Sequence, residues 1–140
     1  MVLGVGVTAS ASLRRLTTLS RHLTMSAADA GVRIERVGSV AHLILDRPKA
    51  LNALNLPMVR VLSDAYAASA GDAAISSIVM SGAGGKAFCA GGDVRAVMEA
   101  ARVDPTGLSD AFFREEYALN YHLATSALPV VSLMEGVVMG

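Results

Sequence analysis

Two neighbouring glycines before a predicted helix are the first residues whose types and spacing could do chemistry. Gly91 and Gly92 directly precede Asp93, after which apolar residues recur at helical spacing. Asp93 is a favourable helix N-cap, and no side chain shields the backbone N–H of a glycine. Because a helix N-terminus carries partial positive charge, such an N–H could stabilise the oxyanion that develops on a carbonyl. A tight turn that needs positive φ explains the pair equally well.

An acidic residue on an apolar helix face is the second such feature. In a predicted helix, Glu116 falls on the same side as Phe112, Leu119 and Leu123, whereas Glu115 falls outside this apolar arc. Burial of a carboxylate is costly unless it is paired, and it raises the carboxyl pKa. Two interpretations of Glu116 stay open: a functional acid, or a structural glutamate that pairs with an arginine or lies at the edge of the arc.

Other candidate chemistries fail on spacing. The glycine-rich segment 82–86 lacks both the leading glycine and the hydroxyl residue of a phosphate-binding P-loop. Cys89 has no identifiable histidine partner, so a small buried residue is the simpler interpretation. His42 and His122 do not form a spacing pair with another ligand type, and structural roles are favoured for both.

The elements that must position these residues alternate between strands and helices. Alternating residues from Val32, and a second run at Val40–Leu45 beyond Gly38-Ser39, predict an antiparallel hairpin. The segment 49–54 has no clear period and predicts a loop. Asn55 predicts the start of a helix that ends at Gly71, in which Arg60 and Asp64 are spaced for an ion pair.

The second half continues the alternation. We expect a buried strand at 75–80, a helix after Asp93, a helix from Ser109 or Asp110 to about Ala124, and a strand at 130–134. The predicted order is β-β-α-β-loop-α-α-β, which favours an α/β layer architecture.

Composition indicates one globular domain. The chain has 140 residues, 53% hydrophobic residues and a single cysteine, which excludes a disulfide scaffold and a disordered protein. Twelve basic and twelve acidic side chains balance, so no nucleic-acid-binding field is expected. No apolar stretch is long enough for a membrane helix.

The N-terminal segment has its own composition. Residues 1–28 contain Arg14, Arg15 and Arg21, many hydroxyl residues and no acidic residue. This composition predicts a mitochondrial transit segment, and an untargeted tail is the other interpretation. Met25 offers an internal start that would remove all three arginines.

Three motifs resemble those of a known family. Segment 46–54, Asp-Arg-Pro-Lys-Ala-Leu-Asn-Ala-Leu, resembles the signature after the first hairpin in the crotonase (enoyl-CoA hydratase/isomerase) superfamily. Segment 84–95, Gly-Gly-Lys-Ala-Phe-Cys-Ala-Gly-Gly-Asp-Val-Arg, resembles its oxyanion-hole segment. The Gly-Gly-Asp-Val-Arg form, together with Phe-Phe-Arg-Glu-Glu-Tyr at 112–117, is similar to the 3-hydroxyisobutyryl-CoA hydrolase branch.

The resemblance implies a fold and a site. The fold would be a crotonase-like α/β spiral of stacked ββα turns, of which residues 29–140 form the N-terminal part, with CoA in an extended groove. Gly92 would supply one oxyanion-hole N–H, Glu116 would contact the substrate, and Lys49 would pair with a CoA phosphate. The other implied contacts to the CoA portion are Ala50, Leu51, Ala53, Ala90, Gly91, Asp93 and Val94.

The implied activity is hydrolysis of a short branched hydroxyacyl-CoA thioester in valine breakdown. Coenzyme A would be part of the substrate, and no metal or redox cofactor is implied. The second oxyanion donor would be the N–H that follows Gly140, and the catalytic Glu and Asp of this branch lie farther downstream. We therefore expect a fragment that is inactive alone, from a mitochondrial matrix protein that forms homo-oligomers at full length.

Alternatives remain for both activity and location. An enoyl-CoA hydratase or isomerase is the second interpretation within the superfamily. A non-catalytic CoA-binding or assembly partner is the third, from a different functional class. The peroxisome and the cytosol are the alternative compartments.

Overall fold

The structure, a computed structural model, describes residues 27–104 and 107–139, without the side chains of Leu108 and Ser109. The predicted transit segment therefore lies outside the described residues except for Ala27 and Ala28. Within the described part the elements are β1 (Val32–Val37), β2 (Val40–Leu45), a 3-10 turn (Pro48–Ala50), α1 (Leu56–Ala70), β3 (Ser77–Gly82), β4 (Ala87–Cys89), α2 (Val94–Val103), α3 (Leu108–Ala124), β5 (Val130–Leu133) and β6 (Val137–Val138).

A four-stranded mixed sheet forms one layer of the fold. Its order is β1-β2-β3-β5, with β1 and β2 antiparallel and the other neighbours parallel. The predicted hairpin is confirmed, and Gly38 adopts a φ of 61° at its turn, a region that glycine enters without strain. Helices connect the parallel strands, so the predicted α/β architecture is confirmed.

Helix α1 covers one face of this sheet. As predicted, the Asn55 side chain caps it by accepting a hydrogen bond from the Met58 N–H at 3.0 Å, and Gly71 is its C-cap. The core between helix and sheet consists of buried apolar side chains, among them Leu43, Leu45, Val59, Leu62, Ile78 and Met80. The expected ion pair between Arg60 and Asp64 is wrong, because the Arg60 guanidinium binds Glu115 on α3 instead.

The segments around the candidate site depart from the predicted loops. Ala87–Cys89 forms β4, which pairs in parallel with β6, and neither strand was expected. Strand β3 begins and ends two residues later than predicted, at Ser77 and Gly82. In residues 27–104 and 107–139, every helix falls short of the combined length and apolar character that a bilayer crossing requires.

Candidate functional site

The segment after β2 is held in place by one buried side chain. Leu51 and Asn52 both adopt left-handed backbone conformations, with φ of 50° and 56°. The Asn52 amide is fully buried: its oxygen accepts from the Arg47 N–H at 2.9 Å, and its nitrogen donates to the carbonyls of Ala83 and Ala87 at 3.0 and 2.8 Å. Asn52 thereby fixes this segment against the glycine-rich turn and β4.

Backbone hydrogen bonds then join the two predicted binding segments. The Ala90 N–H donates to the Leu51 carbonyl at 3.0 Å. The Leu54 N–H donates to the Gly91 carbonyl at 2.8 Å, and the Asp93 N–H donates to the Leu54 carbonyl at 2.7 Å. Residues 51–54 and 90–93 therefore run side by side, with Leu54 and Gly92 as the bridge residues.

This bridge orients the backbone N–H of Gly92. A peptide group is planar and trans, so the carbonyl of Gly91 and the N–H of Gly92 point in opposite directions. Because the Gly91 carbonyl accepts from Leu54, the Gly92 N–H points away from residues 51–54. No residue in the described ranges accepts a hydrogen bond from it. The prediction that this N–H serves as an oxyanion donor requires that freedom.

The two glycines have different conformations. Gly91 has a φ of 85°, so the turn interpretation of the pair applies to it. The φ of Gly92 lies outside the left-handed region, so it is the closeness of neighbouring side chains that favours glycine at this position. A Cβ at Gly92 would lie 3.2 Å from two ring carbons of Phe112 and 3.5 Å from Oε1 of Glu116. The glycine therefore leaves space beside its free N–H.

Asp93 begins helix α2 directly after this N–H. Its Oδ1 accepts from the Ala96 N–H at 3.1 Å, which confirms the predicted N-cap. Its Oδ2 accepts from Nη1 and Nη2 of Arg47 at 3.1 Å each. The partial positive charge of the α2 N-terminus therefore lies next to Gly92.

Glu116 approaches the same position from helix α3. Phe112 and Leu119 are buried, as the apolar arc predicted, and Glu116 is half-buried between them. Burial raises the pKa of the Glu116 carboxyl. No side chain in the described part of the chain forms an ion pair or hydrogen bond with this carboxyl, so an arginine-paired structural glutamate is not what is found. Gly92 and Glu116, predicted from separate arguments, are thus brought together.

The other predicted binding residues lie on the two joined segments. Their N–H groups already donate within the chain at Ala50, Leu51, Ala53, Ala90, Gly91, Asp93 and Val94. At these residues, the side chains and the carbonyl groups that accept no hydrogen bond within the chain remain available to a ligand. The side chains of Lys49 and Val94 are exposed at the two ends of this region.

The contacts of the remaining candidates, Cys89, His42 and His122, are those of structural residues. Cys89 is buried, burial raises its thiol pKa, and the Gly91 N–H donates to its sulfur at 3.4 Å. His42 bonds the Ser81 hydroxyl at 2.8 Å, and His122 stacks on Tyr66. Among the described residues, no group of three or more His, Cys, Asp or Glu side chains is arranged to hold a metal ion.

Sequence reasoning missed two residues that build this site, Arg47 and Asn52. Both belong to the 46–54 motif, but each also binds a partner on a distant segment: Asp93 for Arg47, and Ala83 and Ala87 for Asn52. The signal in the sequence was an arginine before Pro48 and an asparagine in a segment without a period. Neither signal predicts which distant group the side chain binds.

Comparison with known proteins identifies the family. Residues 40–140 match the enoyl-CoA hydratase/isomerase family, and the chain belongs to it. The chain is 43% identical over 129 residues to a mitochondrial 3-hydroxyisobutyryl-CoA hydrolase of Xenopus laevis, covering 90% of this chain and 33% of that protein. It is 44% identical over 131 residues to the Rattus norvegicus protein of the same name, covering 92% and 34%. The chain thus spans about a third of the length of the curated relatives it matches.

A solved structure extends the comparison to the fold. A carnitinyl-CoA dehydratase from Mycobacterium thermoresistibile superimposes with a TM-score of 0.75 and 38% identity, covering 79% of this chain and 32% of that one. The predicted crotonase-like fold is therefore confirmed for the part of it that the chain spans. The motifs that carried the resemblance are the same segments that form the site around Gly92.

Proposed function

We propose that this chain is the N-terminal part of a 3-hydroxyisobutyryl-CoA hydrolase, in which the Gly92 N–H stabilises the oxyanion formed from the thioester carbonyl. The observation that carries the proposal is the free, oriented N–H of Gly92 opposite Glu116. Identity of 43% to a relative of that name supports the choice of substrate.

The chain's own residues bind and polarise the substrate. The segments 49–53 and 90–94 hold the CoA portion, with Lys49 near a phosphate, and place the thioester carbonyl at the Gly92 N–H. The substrate hydroxyl is on carbon 3 and the thioester carbonyl is carbon 1, so the hydroxyl reaches Glu116 beside that N–H. A hydrogen bond to the growing oxyanion lowers the barrier because it strengthens as the charge develops.

The carboxylates that manage water and proton transfer lie downstream of Gly140 in this proposal. The thioester C–S bond breaks, water supplies the new carboxyl oxygen, and the CoA thiol leaves with a proton. Coenzyme A enters as part of the substrate, with no metal or redox cofactor. The polypeptide 1–140 alone then lacks the second oxyanion donor and the acid–base groups, and we expect no turnover from it.

The proposal includes a location and an assembly. The relatives are named as mitochondrial, and residues 1–28 have the composition of a transit segment. We place the full-length protein in the mitochondrial matrix, as a homo-oligomer. A fluorescent protein fused after residue 28 tests the address: import into mitochondria is expected, and a cytosolic signal would contradict it.

The activity is tested on the full-length protein that contains this chain. Thiol release from 3-hydroxyisobutyryl-CoA is measured beside hydration of crotonyl-CoA, and we expect the first reaction to dominate. Residues 1–140 serve as the comparison and should match the buffer blank. Thiol release no faster than the blank from the full-length protein would refute the hydrolase assignment.

An enoyl-CoA hydratase or isomerase is the second candidate function. The match of residues 40–140 to the enoyl-CoA hydratase/isomerase family supports it, as does the dehydratase with a TM-score of 0.75. Both reactions place negative charge on the thioester oxygen, so the Gly92 site serves either one. Hydration of crotonyl-CoA without thiol release would select this candidate.

A further inference from the structure

The Arg47 guanidinium joins the two segments that form the candidate site. Its Nη1 donates to the Ala53 carbonyl at 2.7 Å, and Nη1 and Nη2 both donate to Oδ2 of Asp93 at 3.1 Å. The Arg47 and Asp93 side chains are only 26% and 17% exposed, so water screens this ion pair less than a surface pair. Arg47 itself is not among the predicted substrate contacts, whereas Ala53 and Asp93 are.

The contacts of Arg47 lie on either side of the hydrogen bonds that orient Gly92. Ala53 immediately precedes Leu54, and Asp93 immediately follows Gly92. The two hydrogen bonds between Leu54 and residues 91 and 93 set the planes of both peptide groups around Gly92. A planar guanidinium that binds both neighbours restrains the angle between these segments as well as their distance.

We propose that Arg47 is a positioning residue that fixes the direction of the Gly92 N–H through Ala53 and Asp93. The inference rests on the proposed function insofar as Gly92 is the oxyanion donor. An N–H turned away from the oxyanion loses an interaction made mainly in the transition state, so kcat falls while KM changes little. If Arg47 were purely structural, its replacement would lower stability without this split between kcat and KM.

Kinetics of variants in the full-length protein test the role. Arg47→Met should lower kcat by about 10- to 100-fold and change KM by less than about threefold, since loss of a whole oxyanion donor costs about 100- to 1000-fold. Arg47→Lys keeps the charge but loses the planar guanidinium with its several donors, and its kcat should lie between those of Arg47→Met and wild type. Arg33→Met is the matched control, because Arg33 on β1 forms exposed ion pairs with Glu35 and with Asp46, the residue after β2.

A double-mutant cycle tests whether Arg47 acts through Asp93. Asp93→Asn retains an oxygen for the helix cap but loses the charge that Arg47 binds. It should lower kcat by a similar factor, and the double variant Arg47→Met with Asp93→Asn should be little worse than either alone. If the losses in kcat of the two single variants multiply in the double variant, or if kcat is unchanged in Arg47→Met, the inference is overturned.

Amide hydrogen exchange gives a readout that does not depend on activity. Exchange at Leu54 and Asp93, the two donors between the segments, should accelerate at least about tenfold in Arg47→Met and stay unchanged in Arg33→Met. Wild-type exchange at both amides in Arg47→Met would overturn the inference. If wild type hydrates crotonyl-CoA instead of hydrolysing thioesters, the hydrolase proposal fails, while the same kcat comparison on that substrate still decides the role of Arg47.

Discussion

Arg60 on α1 and Glu115 on α3 form a two-point ion pair, in which Nε and Nη2 each donate to a carboxylate oxygen at 2.8 Å. The pair fixes α3 against α1 at the residue next to Glu116. The two adjacent glutamates therefore have different surroundings. Glu115 is bound at the surface, and Glu116 lies in the half-buried space beside Gly92.

We expect Arg60→Met to lower the free energy of unfolding by about 0.5 to 1 kcal/mol, the usual range for a well-aligned exposed pair. Arg60 holds the pKa of Glu115 below its ordinary value, so the contribution is present at neutral pH and is lost as the pH falls through that lowered pKa. Urea denaturation at two pH values measures both effects. Asp64→Asn is the control, and an equal loss in it would mean that Asp64, rather than Glu115, binds Arg60.

Glu116→Gln should change the pH dependence of stability in the opposite sense. Burial raises the pKa of Glu116, so its favourable contribution is full below its unfolded pKa and is lost as the pH rises through the folded value. The melting temperature of Glu116→Gln should therefore rise relative to wild type between acidic and neutral pH. Glu99→Gln, on the exposed face of α2, provides the control, and a difference that does not vary with pH in Glu116→Gln would contradict the burial argument.

Gly92→Ala tests the space beside the free N–H. The backbone there permits alanine, but the new Cβ would lie 3.2 Å from the Phe112 ring. We expect kcat of the full-length protein to fall at least about tenfold, with about 1 kcal/mol of lost stability from crowding. Gly71→Ala is the control, since Gly71 has a φ of −87° and only ordinary contacts. Wild-type kcat in a folded Gly92→Ala protein would contradict the placement of the reacting carbonyl.

Asn52→Asp tests the buried amide. Aspartate tolerates the left-handed backbone of this position but cannot donate, so the carbonyls of Ala83 and Ala87 would lose their partner beside a buried carboxyl. We expect the free energy of unfolding to fall by about 2 to 4 kcal/mol, measured by urea denaturation. The same change at the exposed Asn120 should alter it by less than about 0.5 kcal/mol. A similar loss at the two positions would argue against the buried hydrogen bonds.

Local signals account for the elements that the sequence predicted correctly. The hairpin depends on Gly38 and on alternating side chains, and α1 depends on an asparagine cap and a glycine end, all within a few residues of the element. Glu116 was found because helical spacing alone places it on an apolar face. Because these signals are short-range, they can be recognised without knowledge of the fold.

Interactions between distant segments account for the misses. Strands β4 and β6 have three and two residues, too few for a period, and each is defined only by its partner about fifty residues away. Arg60 was assigned to Asp64 because helical spacing cannot include a carboxylate on another helix. Asn52 binds backbone carbonyls, which every residue carries, so side-chain types do not indicate its partners. Arg47 binds a carboxylate on a distant segment, which local spacing cannot identify.

The β4–β6 pair also has a consequence for the order of folding. Its hydrogen bonds join residues 86–89 to residues 137–139, whereas the hairpin closes over a few residues. Closing a longer loop costs more chain entropy, so contacts of this span form late. A polypeptide emerges from the ribosome N-terminus first, so the hairpin and α1 can form early in translation. Strand β4, just before the glycine pair, can pair with β6 only after residues 137–139 have been translated.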